Sequence, residues 1–149
     1  MPVIVVGADT SAGQSILERL EQPEREIRVF VSDEDTAAQL KSRGFKVATG
    51  DVSDEGHVEA AATRCFTAVL IAEAATDGRE RSFASTVDEV LAGWANAVAR
   101  SDVRRVIWVT GEVPPKTRTA EVASVDPSDP DLARKVVELD DAQSIPSDS

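Results

Sequence analysis

The 149 residues include no tyrosine and only one cysteine (Cys65), one histidine (His57), one methionine and four lysines. Each shortage closes a route. A single cysteine cannot make an intramolecular disulfide, and one cysteine with one histidine cannot assemble a zinc-type cluster, so no metal site is expected. Without tyrosine there is no phenol to serve as an acid or base. No stretch approaches the roughly 18 apolar residues that a membrane span needs, and the opening residues 1–6 carry no basic run, so a soluble, untargeted, cytoplasmic chain is expected. The 16 basic residues are outnumbered by 27 acidic ones, a formal charge of −11. That field repels phosphate backbones and anionic headgroups, which excludes nucleic acid and membrane surfaces as expected partners. The cations are 12 arginines and four lysines, a balance that looks like adaptation to high salt, although high charge also simply maintains solubility.

What is present is a repeating alternation. With 42% hydrophobic residues the chain fills one core, which predicts a single domain over 1–139 and a polar C-terminal tail over 140–149. Val3, Ile4, Val5 and Val6 form a β-branched run that ends at Gly7, and Ile16, Leu17 and Leu20 follow at helical spacing. Residues 27–31 read as a second strand, Ala37, Ala38 and Leu40 as a helix stopped by Gly44, and 45–48 as a third strand. Ser53 is placed to cap a helix through 58–63, before the continuous apolar strand 68–72. The longest helix is predicted over 82–100, where Phe83, Val87, Val90, Leu91, Trp94 and Val98 share one stripe. Residues 106–109 make the fifth strand. Residues 111–128 hold three of the seven prolines and no period, which predicts a long loop. Ser128 or Asp129, followed by Pro130, then caps a last helix carrying Leu132, Val136 and Leu139.

Apolar strands separated by helices define an α/β fold, a doubly wound, three-layer sandwich around a five-stranded parallel sheet of order 3-2-1-4-5. Such sheets bind ligands beyond the carboxyl ends of the strands, where the order reverses, here between the first and fourth strands. The first turn there reads Gly7, Ala8, Asp9, Thr10, Ser11, Ala12, Gly13. Gly7 permits a sharp turn, small Ser11 and Ala12 let a diphosphate approach backbone N–H groups, and Gly13 lets the helix pack on the strand. A tight turn that binds nothing has the same composition, and the Asp9 carboxylate opposes a diphosphate unless it points away. Asp33 lies 20 residues after Gly13, beside Ser32, where an acid accepts from ribose hydroxyls. Glu34 and Asp35 add negative charge against a 2′-phosphate, favouring NAD over NADP, and Asp33, Glu34 and Asp35 equally suit the positive end of a helix. Asp51 and Val52 follow the third strand, where Asp51 is placed either to accept from an adenine amino group or to bond its own backbone. Ala72 and Ala74 form a small-residue turn after the fourth strand.

Together these residues resemble the NmrA-like and other atypical short-chain dehydrogenase/reductases, whose Gly-x-x-Gly-x-x-Gly turn is matched by Gly7, Thr10 and Gly13 and whose Gly-Asp pair is matched by Gly50 and Asp51. The resemblance covers about residues 3–110 and implies a Rossmann-type domain that binds an adenine dinucleotide. Catalytic members carry a Ser or Thr after the fifth strand and a Tyr-x-x-x-Lys pair. Thr110 and Lys135 fill two of those places, but Asp131 stands where tyrosine would, and an ionised carboxylate cannot supply a phenol's proton. The expectation is a nucleotide-binding, sensing or regulatory module without the reductase's acid and substrate region. A family member with non-standard oxidoreductase or epimerase residues is the alternative. The pattern also resembles the TrkA-N or RCK regulatory domains of potassium transport, whose glycine motif is one residue shorter. In the resembling dehydrogenases the helices beside the fourth and fifth strands pair two subunits, so helices 82–100 and 129–139 are the candidate faces of a homodimer.

Overall fold

A computed structural model describes residues 2–21, 25–76 and 86–145. Among the described residues twelve elements follow one another, eleven of them β1 (Val3–Val6), α1 (Ser11–Leu20), β2 (Ile27–Val31), α2 (Glu34–Ser42), β3 (Lys46–Thr49), α3 (Glu55–Ala62), β4 (Thr67–Ile71), α4 (Val87–Arg100), β5 (Arg105–Val109), β6 (Glu121–Val125) and α5 (Leu132–Asp141). The twelfth is a 3-10 turn, Ala72–Thr76, between β4 and α4.

All strands are parallel in one sheet of order β3-β2-β1-β4-β5-β6, six strands where the sequence predicts five. Successive side chains on a strand point to opposite faces, and each face is covered by its own helices. Val3 and Val5 join Ile16, Leu17, Leu20, Leu40 and Val136 under α1, α2 and α5. Ile4 and Val6 join Val58, Val90, Trp94, Val98 and Trp108 under α3 and α4. Trp94 is buried without loss because its indole N–H donates to the Val52 carbonyl at 2.7 Å.

Several expectations are corrected. The aperiodic loop 111–128 contains β6, hydrogen bonded along β5 from Arg105↔Glu121 to Val109↔Val125. Its two valines serve opposite layers, Val122 packing with α4 and Val125 with α5, so no period-2 pattern exists in the sequence. Asp54, not Ser53, caps α3, accepting from the Gly56 and His57 N–H groups. The last helix starts at Leu132 with Asp131 at its cap position, and Asp129 sits in the turn before it. Of the predicted helix 82–100, residues 82–85 lie outside the described residues, and α4 begins behind its Thr86 cap. The inner stripes of the two helices named for a homodimer, Val90, Trp94 and Val98 on α4 and Leu132 and Val136 on α5, are buried against the sheet, so pairing of two subunits would use the outer faces of these helices. The polar tail is also tied down as far as residue 145, since α5 runs to Asp141 and the buried Ile145 N–H donates to Glu121 at 2.6 Å. No helix among the described residues is long and apolar enough to cross a membrane.

Candidate functional site

The end of β1 turns sharply at Gly7, whose φ of +97° is strained for any residue with a side chain. A Cβ there would also stand 2.8 Å from the Ala74 Cβ, so the turns after β1 and β4 meet where the strand order reverses. At Gly13 a Cβ would lie 2.4 Å from the Gly7 carbonyl oxygen, which makes glycine the residue that lets α1 pack on β1. Thr10 fixes the loop between them. Its hydroxyl donates to the Gly7 carbonyl at 2.7 Å and accepts from the Gly13 N–H at 3.0 Å, capping α1. The remaining first-turn N–H groups, those of Ser11 and Ala12, belong to the positive end of a ten-residue helix.

These elements surround a cavity of about 410 Å³ lined by Asp9, Thr10, Ser11, Ser32, Asp33, Thr36, Glu73, Ala74 and Thr76. Three carboxylates face it, and no lysine, arginine or histidine is among the described residues that line it. Asp33 caps α2, its Oδ2 accepting from the Thr36 N–H at 3.0 Å and the Thr36 hydroxyl at 2.6 Å. Asp9 reaches across from the β1 turn, its Oδ2 3.5 Å from the Ser32 hydroxyl at the end of β2.

Of the candidates read from the sequence, Asp9, Thr10, Ser11, Ser32, Asp33 and Ala74 are brought together at this cavity, with Gly7, Ala12 and Gly13 forming the turn that shapes it. Others lie elsewhere. Asp51 accepts from the Ser53 N–H at 2.8 Å and its hydroxyl at 2.6 Å, the backbone-bonding alternative for that residue. Val52 is buried and spends its carbonyl on Trp94, while Ala72 begins the 3-10 turn. Thr110 uses its N–H on Val125 and accepts from the Glu112 N–H through its hydroxyl at 3.2 Å. Lys135 is ion paired with Asp129 beside a separate cavity of about 360 Å³ bounded by β6 and α5. The hydrogen bond from this ammonium holds the Asp129 carboxyl below its ordinary value. Neither Thr110 nor Lys135 is among the residues that line the cavity at the glycine turn.

Thr36 and Thr76 line the cavity without having been singled out in the sequence, and Glu73 lines it from within the turn 72–75 expected there. Thr36 was accessible in principle, three residues beyond an N-cap aspartate. Glu73 and Thr76 arrive only through the 3-10 turn. His57 is an exposed side chain 3.7 Å from Asp54, and burial raises the Cys65 thiol, which makes it unreactive. No group of three or more His, Cys, Asp or Glu side chains among the described residues is placed to hold a metal ion.

A parallel sheet whose order reverses at a glycine turn opening a helix, with an acid at the end of β2, defines a dinucleotide-binding Rossmann-type domain. The tight Gly7 and Gly13 backbone and the helix terminus behind it suit a diphosphate. The chain belongs to the NAD(P)H-binding family, whose model matches residues 7–121, in keeping with the resemblance to the NmrA-like, atypical short-chain dehydrogenase/reductases; its cofactor is a nicotinamide dinucleotide. No curated protein matches the chain. Among solved structures it is similar to the triphenylmethane reductase of Citrobacter sp. complexed with NADP(H), at 18% identity and a TM-score of 0.61, covering 73% of this chain and 37% of that one. It is similar to ChuY, an anaerobillin reductase of Escherichia coli O157:H7, at 16% identity and a TM-score of 0.71, covering 97% of this chain and 92% of that one. A third is the NADPH-dependent quinone oxidoreductase QOR2 of Escherichia coli complexed with NADPH, at 20% identity and a TM-score of 0.60, covering 72% and 36%. At these identities the likeness is one of fold. The chain spans little more than a third of the first and third of these proteins and nearly all of ChuY.

Proposed function

We propose that this chain is an NAD-preferring binding domain that senses or presents the dinucleotide rather than a catalyst of the usual short-chain reductase type. The observation that carries the preference is the cavity lining, in which Asp9, Asp33 and Glu73 stand with no cation among the described residues to neutralise a 2′-phosphate. A phosphomonoester carries about −1.5 to −2 charge at neutral pH and would be held against like charge, whereas ribose hydroxyls donate to carboxylates. The absence of tyrosine from the chain and the engagement of Lys135 with Asp129 support the non-catalytic half of the reading.

A second reading is favoured by one observation. ChuY, an anaerobillin reductase, aligns over 92% of its own length with this chain, so a domain of this size is no argument against reduction. In that reading the reduced dinucleotide gives a hydride to the substrate, and the accompanying proton comes from water rather than from a phenol of the chain.

Calorimetric titration with NAD⁺ and NADP⁺ tests the binding reading, using Ser11→Asp as the control. Ser11 is exposed on the first turn of α1, where a carboxylate complements the helix dipole. The variant is expected to keep or raise its Tm while NAD⁺ affinity falls at least about tenfold, by charge repulsion of the diphosphate. Unchanged NAD⁺ affinity in that variant would remove the diphosphate from this turn. Oxidation of NADH dependent on an added quinone or anaerobillin acceptor would establish the second reading over the first.

A further inference from the structure

We propose that Asp9, more than Asp33, sets the choice between NAD and NADP in this chain, an assignment that rests on the dinucleotide-binding reading above. In a doubly wound sheet the adenosine half of the ligand crosses the carboxyl ends of β1 and β2, and the acid at the end of β2 meets the ribose. Here that acid is committed to its own helix. Asp33 Oδ2 takes both the N–H and the hydroxyl of Thr36, at 3.0 and 2.6 Å, as the N-cap of α2. Asp9 approaches the same place from the opposite wall. It follows Gly7 and Ala8 in the turn, is half-buried, and its carboxylate reaches to within 3.5 Å of the Ser32 hydroxyl, spanning the gap between the two strand ends.

This position has two consequences. The Asp9 charge is drawn toward β2 and the Ser32 hydroxyl, which leaves the Ser11 and Ala12 N–H groups as the diphosphate's partners. It also sets a second carboxylate beside Asp33 where a 2′-substituent must fit, with Glu73 completing a lining that holds no cation among its described residues. A 2′-hydroxyl can donate to Asp9. A 2′-phosphate meets its charge at close range in a partly desolvated cleft, where like-charge repulsion is costly.

The test is the affinity of the full chain for NAD⁺ and NADP⁺ in the wild type, Asp9→Asn and Asp33→Asn, with Asp9→Ser as a second variant should the amide disturb folding, and Tm measured for each. Asp33→Asn keeps a capping acceptor while removing the charge. The expected result is a gain of about tenfold in NADP⁺ affinity for Asp9→Asn, with NAD⁺ within about threefold of wild type, and a smaller gain for Asp33→Asn. An unchanged affinity ratio in both Asp9 variants, or an equal or larger shift from Asp33→Asn, overturns the assignment while leaving dinucleotide binding intact. A wild type that binds neither dinucleotide overturns both.

Discussion

Arg105 shows what one side chain does for this fold. It is fully buried at the first position of β5, and its guanidinium donates to Glu121 through Nε and Nη2 at 3.1–3.3 Å. Nη1 donates to the carbonyls of Leu139, Asp140 and Ala142 at 2.6–3.0 Å, and the Phe66 ring lies 5.2 Å from the guanidinium carbon. Arg105→Met leaves the buried Glu121 with only the Ile145 N–H and the exposed Arg104 at 3.7 Å, and removing one side of a buried ion pair costs up to about 3–5 kcal/mol. A urea midpoint close to wild type would contradict that estimate. The two acids nearby titrate with opposite sign. Glu121 is held below its ordinary 4.5, first by the Ile145 N–H and also by Arg105, so it contributes stability above pH 4.5 that is lost as pH falls through its folded value. Burial raises Asp140 above its ordinary 3.8 despite Arg25 at 3.4 Å. Its contribution is therefore complete below pH 3.8 and lost as pH rises through the folded value. Asp140→Asn should accordingly keep or raise the Tm at pH 7, with any gain vanishing below pH 3.8 in a thermal melt series.

At the scale of elements, the turn between β1 and α1 depends on Thr10, which ties the Gly7 carbonyl to the Gly13 N–H. Thr10→Ala removes an N-cap worth about 1 kcal/mol and frees the loop that presents the helix terminus, while Thr10→Ser retains the hydroxyl. The alanine variant should lose both stability and NAD⁺ affinity in denaturation and titration experiments, and the serine variant should recover both. This turn was legible in the sequence because Gly7 and Gly13 bracket it and a β-branched run precedes it. Strands β1, β2, β4 and β5 were legible for the same kind of reason, since buried parallel strands are nearly continuous apolar runs, whereas the edge strand β3 holds only Val47 and Ala48 between the exposed Lys46 and Thr49. β6 was not: Val122 and Val125 face opposite layers, and the element is defined by pairing with β5 rather than by its own pattern. Asp33 and Thr36 could be read from local capping chemistry, whereas Glu73 enters the cavity only because β4 ends in a 3-10 turn. Lys135 has the spacing of the family's lysine, and in the structure it pairs with Asp129, six residues earlier.

The whole molecule carries a formal charge of −11, and the candidate site concentrates three carboxylates where an anionic dinucleotide must approach. Screening shortens the reach of charge from about 10 Å at 0.1 M salt to about 3 Å at 1 M. Both self-repulsion and repulsion of the ligand should weaken over that range. Tm and NAD⁺ affinity are therefore expected to rise together from about 0.1 to 1 M KCl, the reverse of a cationic site. Titrations at the two salt concentrations check this, and affinity that falls with salt would mean that the backbone dipoles outweigh the carboxylates. The burial of the two tryptophans has a further, optical consequence. Trp94 and Trp108 sit in the same layer, between the sheet and α3 and α4, and the chain has no tyrosine, so intrinsic emission reports on that half of the sandwich alone. Loosening of α1, α2 and α5, the half that carries the glycine turn, would be dark to fluorescence yet visible in far-ultraviolet circular dichroism. Two unfolding curves that fail to superimpose would thus reveal layers that melt separately.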